Sequence, residues 1–117
     1  MADKPMFVPL ATNPYRWFEQ GLKRWELRRV GGQWQPKHCV YGRPATLSRG
    51  YSTPDRMPAM VGIYAVFDTM EEAMTVVDYR LIIPTAGSLR DAVKVATEIL
   101  GDKPGPFIAV EFLTGQP

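Results

Sequence analysis

The feature that most constrains this chain is the octet Gly21-Leu22-Lys23-Arg24-Trp25-Glu26-Leu27-Arg28, at the expected junction of a short amphipathic helix and a strand. Glycine lets a chain turn out of a helix, because it adopts left-handed backbone without a Cβ clash. Beyond it, alternate side chains of a strand share a face. Glu26 and Arg28 are therefore expected together on one face, with Trp25 and Leu27 on the other. Lys23 falls at the corner, before the pleat is settled. A cation, a carboxylate and a guanidinium thus gather beside an aromatic ring. That set suits a nucleotide: charge for phosphate, hydrogen bonds for a base edge, a ring for stacking.

The remaining chain reads as helices around a strand-rich middle. Asn13-Pro14 predicts the start of the first helix, with Asn as cap and Pro at the first helical position. Tyr15, Phe18 and Leu22 share its core face, Trp17 lies off that stripe and is expected to be partly exposed, and Gly21 closes it. A strand follows over Arg24 to Val30, then a turn at Gly31-Gly32. Short strands are expected around Cys39 to Tyr41 and Ala45 to Leu47. Ser48 to Pro58 has no apolar period and reads as an exposed loop. Met60 to Phe67 is apolar on both faces and reads as a central strand. Thr69-x-x-Glu72 is a capping box opening a helix with Met70, Ala73, Met74 and Val77 buried. Leu81 to Ile83 reads as a brief strand ended by Pro84. Ser88 caps a last helix whose stripe is Leu89, Ala92, Val93, Ala96, Ile99 and Leu100, with Gly101 as the stop. Phe107 to Leu113 is the final strand. Periodicity alone gives an α+β class. No repeat or second domain is visible, and residues 1–117 are expected to form a single domain.

Charge narrows the partner classes. The net charge is +2, yet residues 1–56 hold ten Lys and Arg against four acids, whereas residues 57–117 hold four against eight. The basic half carries the octet together with Arg29, Arg43, Arg49 and Arg56. Such a face attracts phosphate backbones; the plain alternative is a solvated basic surface. No run approaches the roughly 18 apolar residues of a membrane span. Met1-Ala2-Asp3-Lys4-Pro5 puts an acid and a proline where a secretory leader would be apolar, so a cytoplasmic location is expected. Cys39 is the single cysteine and has no partner for an internal disulfide. His38 and Cys39 alone do not build a zinc site. No P-loop or dinucleotide fingerprint is present. No metal and no cofactor are expected.

Read as G-x-K-x-x-E-x-R, the octet resembles the signature of the ASCH domains, small PUA-like β-barrels associated with RNA. The layout is similar beyond the motif: a helix before it, a β-rich middle with a small-residue turn at Leu47-Ser48-Arg49-Gly50, and a closing helix and strand. The resemblance implies a small PUA-like β-barrel with flanking helices, and a single ASCH/PUA-like domain over residues 1–117. Some small ASCH proteins are amidohydrolases of acetylcytidine, and others are linked to RNA cleavage. In the amidohydrolases the motif lysine is catalytic, which maps to Lys23. Their threonine stands where this chain has Glu26. Their glutamate before the final helix has no match between Leu81 and Leu89, where Thr85 is closest in place, and the flanking acids are Asp78 and Asp91. A lysine without a partner carboxylate lacks a positioned proton carrier.

The leading expectation is a binding module for RNA or a nucleotide-like ligand. Lys23, Arg28 and Arg49 would hold phosphate. Glu26 would accept from a base amine or orient Arg28. Ser48, Arg49 and Tyr51, around Gly50, form a second candidate ligand site. Trp17, Trp34 and Tyr51 are the stacking candidates, while Trp25 shares a face with Leu27 and reads as core. The bland reading of the octet is a solvated Glu26–Arg28 pair with Lys23 free. Two further readings differ in class. One is a hydrolase of a modified nucleoside or RNA, with Lys23 as the catalytic residue. The other is a protein-interaction module whose basic face meets an acidic partner.

Overall fold

The structure is a computed structural model and describes residues 4–115. Five strands form one sheet: β1 (Met6–Leu10), β2 (Trp25–Arg29), β3 (Pro44–Arg49), β4 (Arg56–Phe67) and β5 (Phe107–Leu113). Three helices accompany it: α1 (Thr12–Glu19), α2 (Met70–Val76) and α3 (Leu89–Leu100). The strand order is β1-β3-β4-β5-β2. β1 runs parallel to β3, and the other neighbours are antiparallel.

The sheet curls into a half-barrel but does not close. β1 and β2 stay as its edges. Side chains span the gap instead: Arg28 Nη2 donates to the Pro9 carbonyl at 3.1 Å, and Gln33 Nε2 to the Phe7 carbonyl at 2.7 Å. The expected α+β class with flanking helices is therefore seen, and the closed barrel is replaced by an open one.

Each face of the sheet buries its own core. On the inner face, Met6, Val8, Leu47, Val61 and Val110 pack around Phe18 and Phe112. Phe112 meets Phe18 and Trp34 edge-on, with centroids at 6.1 and 6.2 Å, a favoured arrangement of ring quadrupoles. On the other face, Leu27, Phe107 and Ala109 meet α2 and α3 through Met70, Met74 and Ala96. No helix among the described residues is long and apolar enough to cross a membrane.

Helix signals in the second half hold. Glu72 N donates to Thr69 Oγ1 at 3.1 Å, while Glu72 reaches back to the Asp68 N–H at 3.3 Å. Asp91 N donates to Ser88 Oγ at 3.1 Å, and Gly101, at φ 87°, ends α3. Tyr15 and Phe18 are buried and Trp17 is half-buried. Phe107 to Leu113 is a strand with the expected bounds.

Several expectations change. α1 begins at Thr12, and its cap position is Ala11, without a side-chain hydrogen bond. Pro14 still falls in the first turn, where its missing N–H costs nothing. The helix ends at Glu19, so Leu22 lies beyond it and is 50% exposed. β1 was not foreseen: Pro9 obscures its pattern, and an edge strand tolerates proline. Cys39 to Tyr41 forms turns rather than a strand, with Cys39 N bonded to Gln35 O at 3.1 Å. Ser48 and Arg49 end β3 and Arg56 begins β4, so the connecting loop is shorter than expected. β4 is interior to the sheet, yet Ile63, Tyr64 and Val66 are exposed beside a register shift. The segment read as a strand at Leu81 to Ile83 is a 3-10 turn over Tyr79–Leu81, capped by Asp78, followed by buried Ile82 and Ile83. In α3, Leu89 and Ile99 are exposed although they share the apolar stripe.

Candidate binding cavity

The octet lies where the two open edges of the half-barrel approach each other. Gly21, at φ 77°, turns the chain out of α1. Lys23 N then donates back to the Trp17 carbonyl at 3.1 Å, and Arg24 N to the Leu81 carbonyl at 2.9 Å. These bonds place the Lys23 side chain between α1 and the 3-10 turn. β2 starts at Trp25 and presents Glu26 and Arg28 to the α1 side, while Leu27 joins the α2–α3 core. The predicted alternation is observed.

Lys23 and Glu26 are only 4% and 8% exposed. Lys23 Nζ lies 3.1 Å from Glu26 Oε1 and donates to the Ile82 carbonyl. Arg28 holds the other carboxylate oxygen, Glu26 Oε2, through Nε at 2.9 Å and Nη2 at 2.7 Å. The Arg28 guanidinium also stacks on the Trp34 ring, 4.7 Å from its centroid. One carboxylate is therefore fully engaged by two cations. Burial pulls the Lys23 ammonium below its usual range, against the pull of Glu26. Burial alone would raise the Glu26 carboxyl, but Lys23 and Arg28 outweigh it and hold it low. Removing charges from water is costly unless each is paired, and here the carboxylate is paired on both oxygens.

These three side chains line a cavity of about 740 Å³. Its other walls are mainly apolar: Leu10 at the end of β1, Trp17 of α1, Ile83 after the 3-10 turn, and Ile99 and Leu100 of α3. The first turn of α1, from Thr12 to Pro14, forms one lip. Pockets of this size, apolar with a few convergent polar groups, are the usual form of small-ligand sites. Among the described residues that line it, Glu26 is the single carboxylate. Asp78 is instead occupied with Arg80, at 3.0 Å, and neither Thr85 nor Asp91 lines the cavity. Among the described residues, no group of three His, Cys, Asp or Glu side chains is placed to hold a metal ion.

The second candidate site is separate. Ser48 is fully buried and donates to the Gly50 carbonyl at 2.6 Å, so its hydroxyl serves the turn. Arg49 Nε is bound to Asp55 Oδ2 at 2.7 Å, and Arg16 shares that oxygen at 3.3 Å. Tyr51 is 73% exposed. None of these residues lines the cavity. Of the stacking candidates, Trp17 reaches the cavity, Tyr51 stands on the surface, and Trp34 is a core residue that supports Arg28. Trp25 is half-buried against the α2–α3 core.

Sequence reasoning missed the Ile82 and Pro9 carbonyls, which hold Lys23 and Arg28, and the apolar walls at Leu10 and Ile83. The run Leu81 to Ile83 was a visible signal, but its Ile82 and Ile83 join the α2–α3 core and line the cavity rather than meeting a strand neighbour.

Comparison with known proteins defines the fold class. The chain is similar to a hypothetical protein, PH0355, in a crystal structure: TM-score 0.77, 16% identity, 94% of this chain and 98% of that one covered. It is also similar to protein PF0455 from Pyrococcus furiosus, in a solution structure: TM-score 0.69, 14% identity, 94% and 96% covered. The small curled-sheet α+β fold is thus shared along nearly the whole length of both. No family model and no curated protein matches the chain.

Proposed function

We propose that the cavity binds a nucleotide-like ligand, the base or nucleoside portion of RNA, in an ASCH-type module. The observation that carries this reading is the donor surplus of Lys23 and Arg28 around one carboxylate. Both Glu26 oxygens are taken, so the carboxylate orients Lys23 and Arg28 rather than meeting the ligand. Lys23 directs N–H donors to Glu26 and Ile82, and its Nζ lies 5.5 Å from the Phe18 ring centroid, so the donor left for a ligand is chiefly on Arg28. Arg28 Nη1 has no protein partner among the described residues. The site therefore offers donors inside apolar walls, which suits the carbonyl edge of a planar base or a phosphate oxygen. Trp17 supplies a ring at the wall.

The test is fluorescence anisotropy of a labelled single-stranded RNA titrated across salt, with wild type, Arg28→Ala and Trp17→Ala. Saturable binding that weakens in both variants is expected. Equal binding by all three proteins, or none at low salt, overturns the reading.

A hydrolase is the second reading, and the lowered Lys23 ammonium favours it, because a desolvated lysine gives up its proton more readily and so supplies more of the unprotonated amine near neutral pH. Incubation with acetylcytidine and product analysis, repeated with Lys23→Met, tests it. Absence of product sinks it. The structure offers no observation favouring an acidic protein partner over RNA.

A further inference from the structure

The outer face of β1, β3 and β4 carries an aromatic and basic group that the cavity does not use. Phe7 pairs with Thr46, which pairs with Pro58; Pro9 pairs with Ser48, which pairs with Arg56. Directly paired residues share a sheet face, so Phe7 and Arg56 stand on the same side, one row apart. The Arg56 guanidinium lies 5.3 Å from the Phe7 ring centroid. Tyr51 comes over from the connecting loop, with its ring 6.0 Å from Phe7 and tilted by 41°. Arg56 Nη2 donates to the Tyr51 carbonyl at 3.4 Å, which ties the loop to the strand.

Each member is set up for a partner. The Tyr51 ring is largely in solvent beside Phe7, so its face is accessible for stacking. Arg56 has no carboxylate within ion-pair distance among the described residues. Beside it, Arg16 and Arg49 are matched by Asp55 and Glu19, so the uncompensated charge of this patch is that of Arg56. Aromatic faces interleaved with guanidinium groups are how proteins hold single strands without reading sequence. The patch also adjoins the cavity: Gly50 N donates to the Leu10 carbonyl at 2.9 Å, Leu10 lines the cavity, and Tyr51 is the next residue.

We infer that Phe7, Tyr51 and Arg56 form a stacking platform for single-stranded RNA, which extends the strand path from the cavity along the outer face of the half-barrel. This inference rests on the nucleotide-binding reading of the cavity and adds its polymer: a strand long enough to reach both places. Tyr51 stacks on a base next to the one in the cavity. Arg56 neutralises an adjoining phosphate while its guanidinium braces Phe7.

The experiment compares uridine monophosphate with a labelled single-stranded RNA of about ten nucleotides, a length within the span such proteins cover. Wild type, Tyr51→Ala, Tyr51→Phe, Arg56→Ala and Arg28→Ala are titrated with both. Tyr51→Ala is expected to weaken the oligonucleotide about ten-fold and leave the mononucleotide unchanged, with Tyr51→Phe restoring most of the loss. Arg56→Ala is expected to lower the salt slope of oligonucleotide binding by about one. Because Tyr51 and Arg56 are surface side chains, thermal unfolding should stay near wild type and exclude misfolding as the cause. If Tyr51→Ala binds the oligonucleotide as wild type does, the platform is wrong while the cavity reading stands. If Arg28→Ala binds normally and Tyr51→Ala does not, the cavity reading falls and a surface platform alone remains. If no protein binds the oligonucleotide, or an acidic peptide displaces it from the patch at equal concentration, the platform is wrong.

Discussion

Lys23–Glu26–Arg28 and Arg16–Asp55–Arg49 are each one carboxylate held between two cations, yet their surroundings are opposite. In the first, the contacts are 3.1 and 2.7 Å and the lysine and glutamate are out of solvent. In the second, the contacts are 3.3 and 2.7 Å and every member keeps a third or more of its side chain in water. Pair geometry is nearly the same, so it cannot decide what each cluster does. Water decides. On the surface, each ion has solvation as an alternative to its partner, and the pair adds little. In the interior no such alternative exists, and each charge depends on the others. The Arg16 cluster therefore steadies a loop, whereas the Lys23 cluster is a costly arrangement that stability alone does not require.

The largest expected effect is loss of the shared carboxylate. Glu26→Ala should cost about 3–5 kcal/mol, since it strands the buried Lys23 ammonium and takes the carboxylate from the part-buried Arg28, and urea unfolding reads it. Asp55→Ala should leave the unfolding midpoint near wild type. Equal losses would break the comparison. A sharper version removes all three charges. The variant Lys23→Met, Glu26→Leu, Arg28→Met should fold with stability equal to wild type or about 1–4 kcal/mol higher, and under the proposed function it should show no saturable RNA binding by anisotropy. A triple variant as unstable as Glu26→Ala would mean that the trio is a structural tie.

Smaller effects separate the clusters by solution conditions. Glu26 is held below its usual range in the folded state. Below about pH 4.3 the unfolded chain then binds more protons at this site than the folded one, so stability falls as pH drops through the folded value. Glu26→Gln should flatten that acid limb of a melting-temperature profile. Asp55, held low by the Arg49 hydrogen bond, and Asp78, held low by Arg80, titrate in the same direction, so the acid limb should keep a residual slope that Asp55→Asn reduces. An unchanged limb in Glu26→Gln would show that the trio does not titrate as described. The smallest effect is that of salt. At about 1 M the Debye length is roughly 3 Å, so any difference between Asp55→Ala and wild type should vanish, while the Glu26→Ala deficit persists. A deficit that salt removes would place Glu26 in contact with solvent.

Local signals were legible where a few neighbouring residues settle the outcome. Thr69 and Ser88 accept the N–H bonds expected of caps. Gly101 stops α3 with positive φ, and β2 shows the predicted alternation of Glu26 and Arg28 against Leu27. Of the candidate site, the three octet residues meet as the spacing suggested. Ser48 did not join them, because its hydroxyl was needed by the turn at Gly50. Leu22 and Ile99 sit in apolar patterns but outside the core: α1 ends before Leu22, and at Ile99 the pattern shows which residues share a face and not how far a cover reaches. Ile99, at 72% exposed, is the rim of the cavity rather than the floor of a helix contact.

By itself, then, the sequence determined the local turns, the helix stops, the alternation in β2, and the meeting of a lysine, a glutamate and an arginine at one corner. These depend on backbone preferences and on the strand period, which act over a few residues. Tertiary structure alone decided that Met6–Leu10 would lie parallel to Pro44–Arg49, that the barrel would stay open, and that Arg28 would bridge the opening to Pro9. It also decided that Lys23 would be buried beneath the Ile82 carbonyl, 59 residues away, rather than left in water. The reason is that desolvation is set by everything that surrounds a group, and its surroundings come from distant parts of the chain.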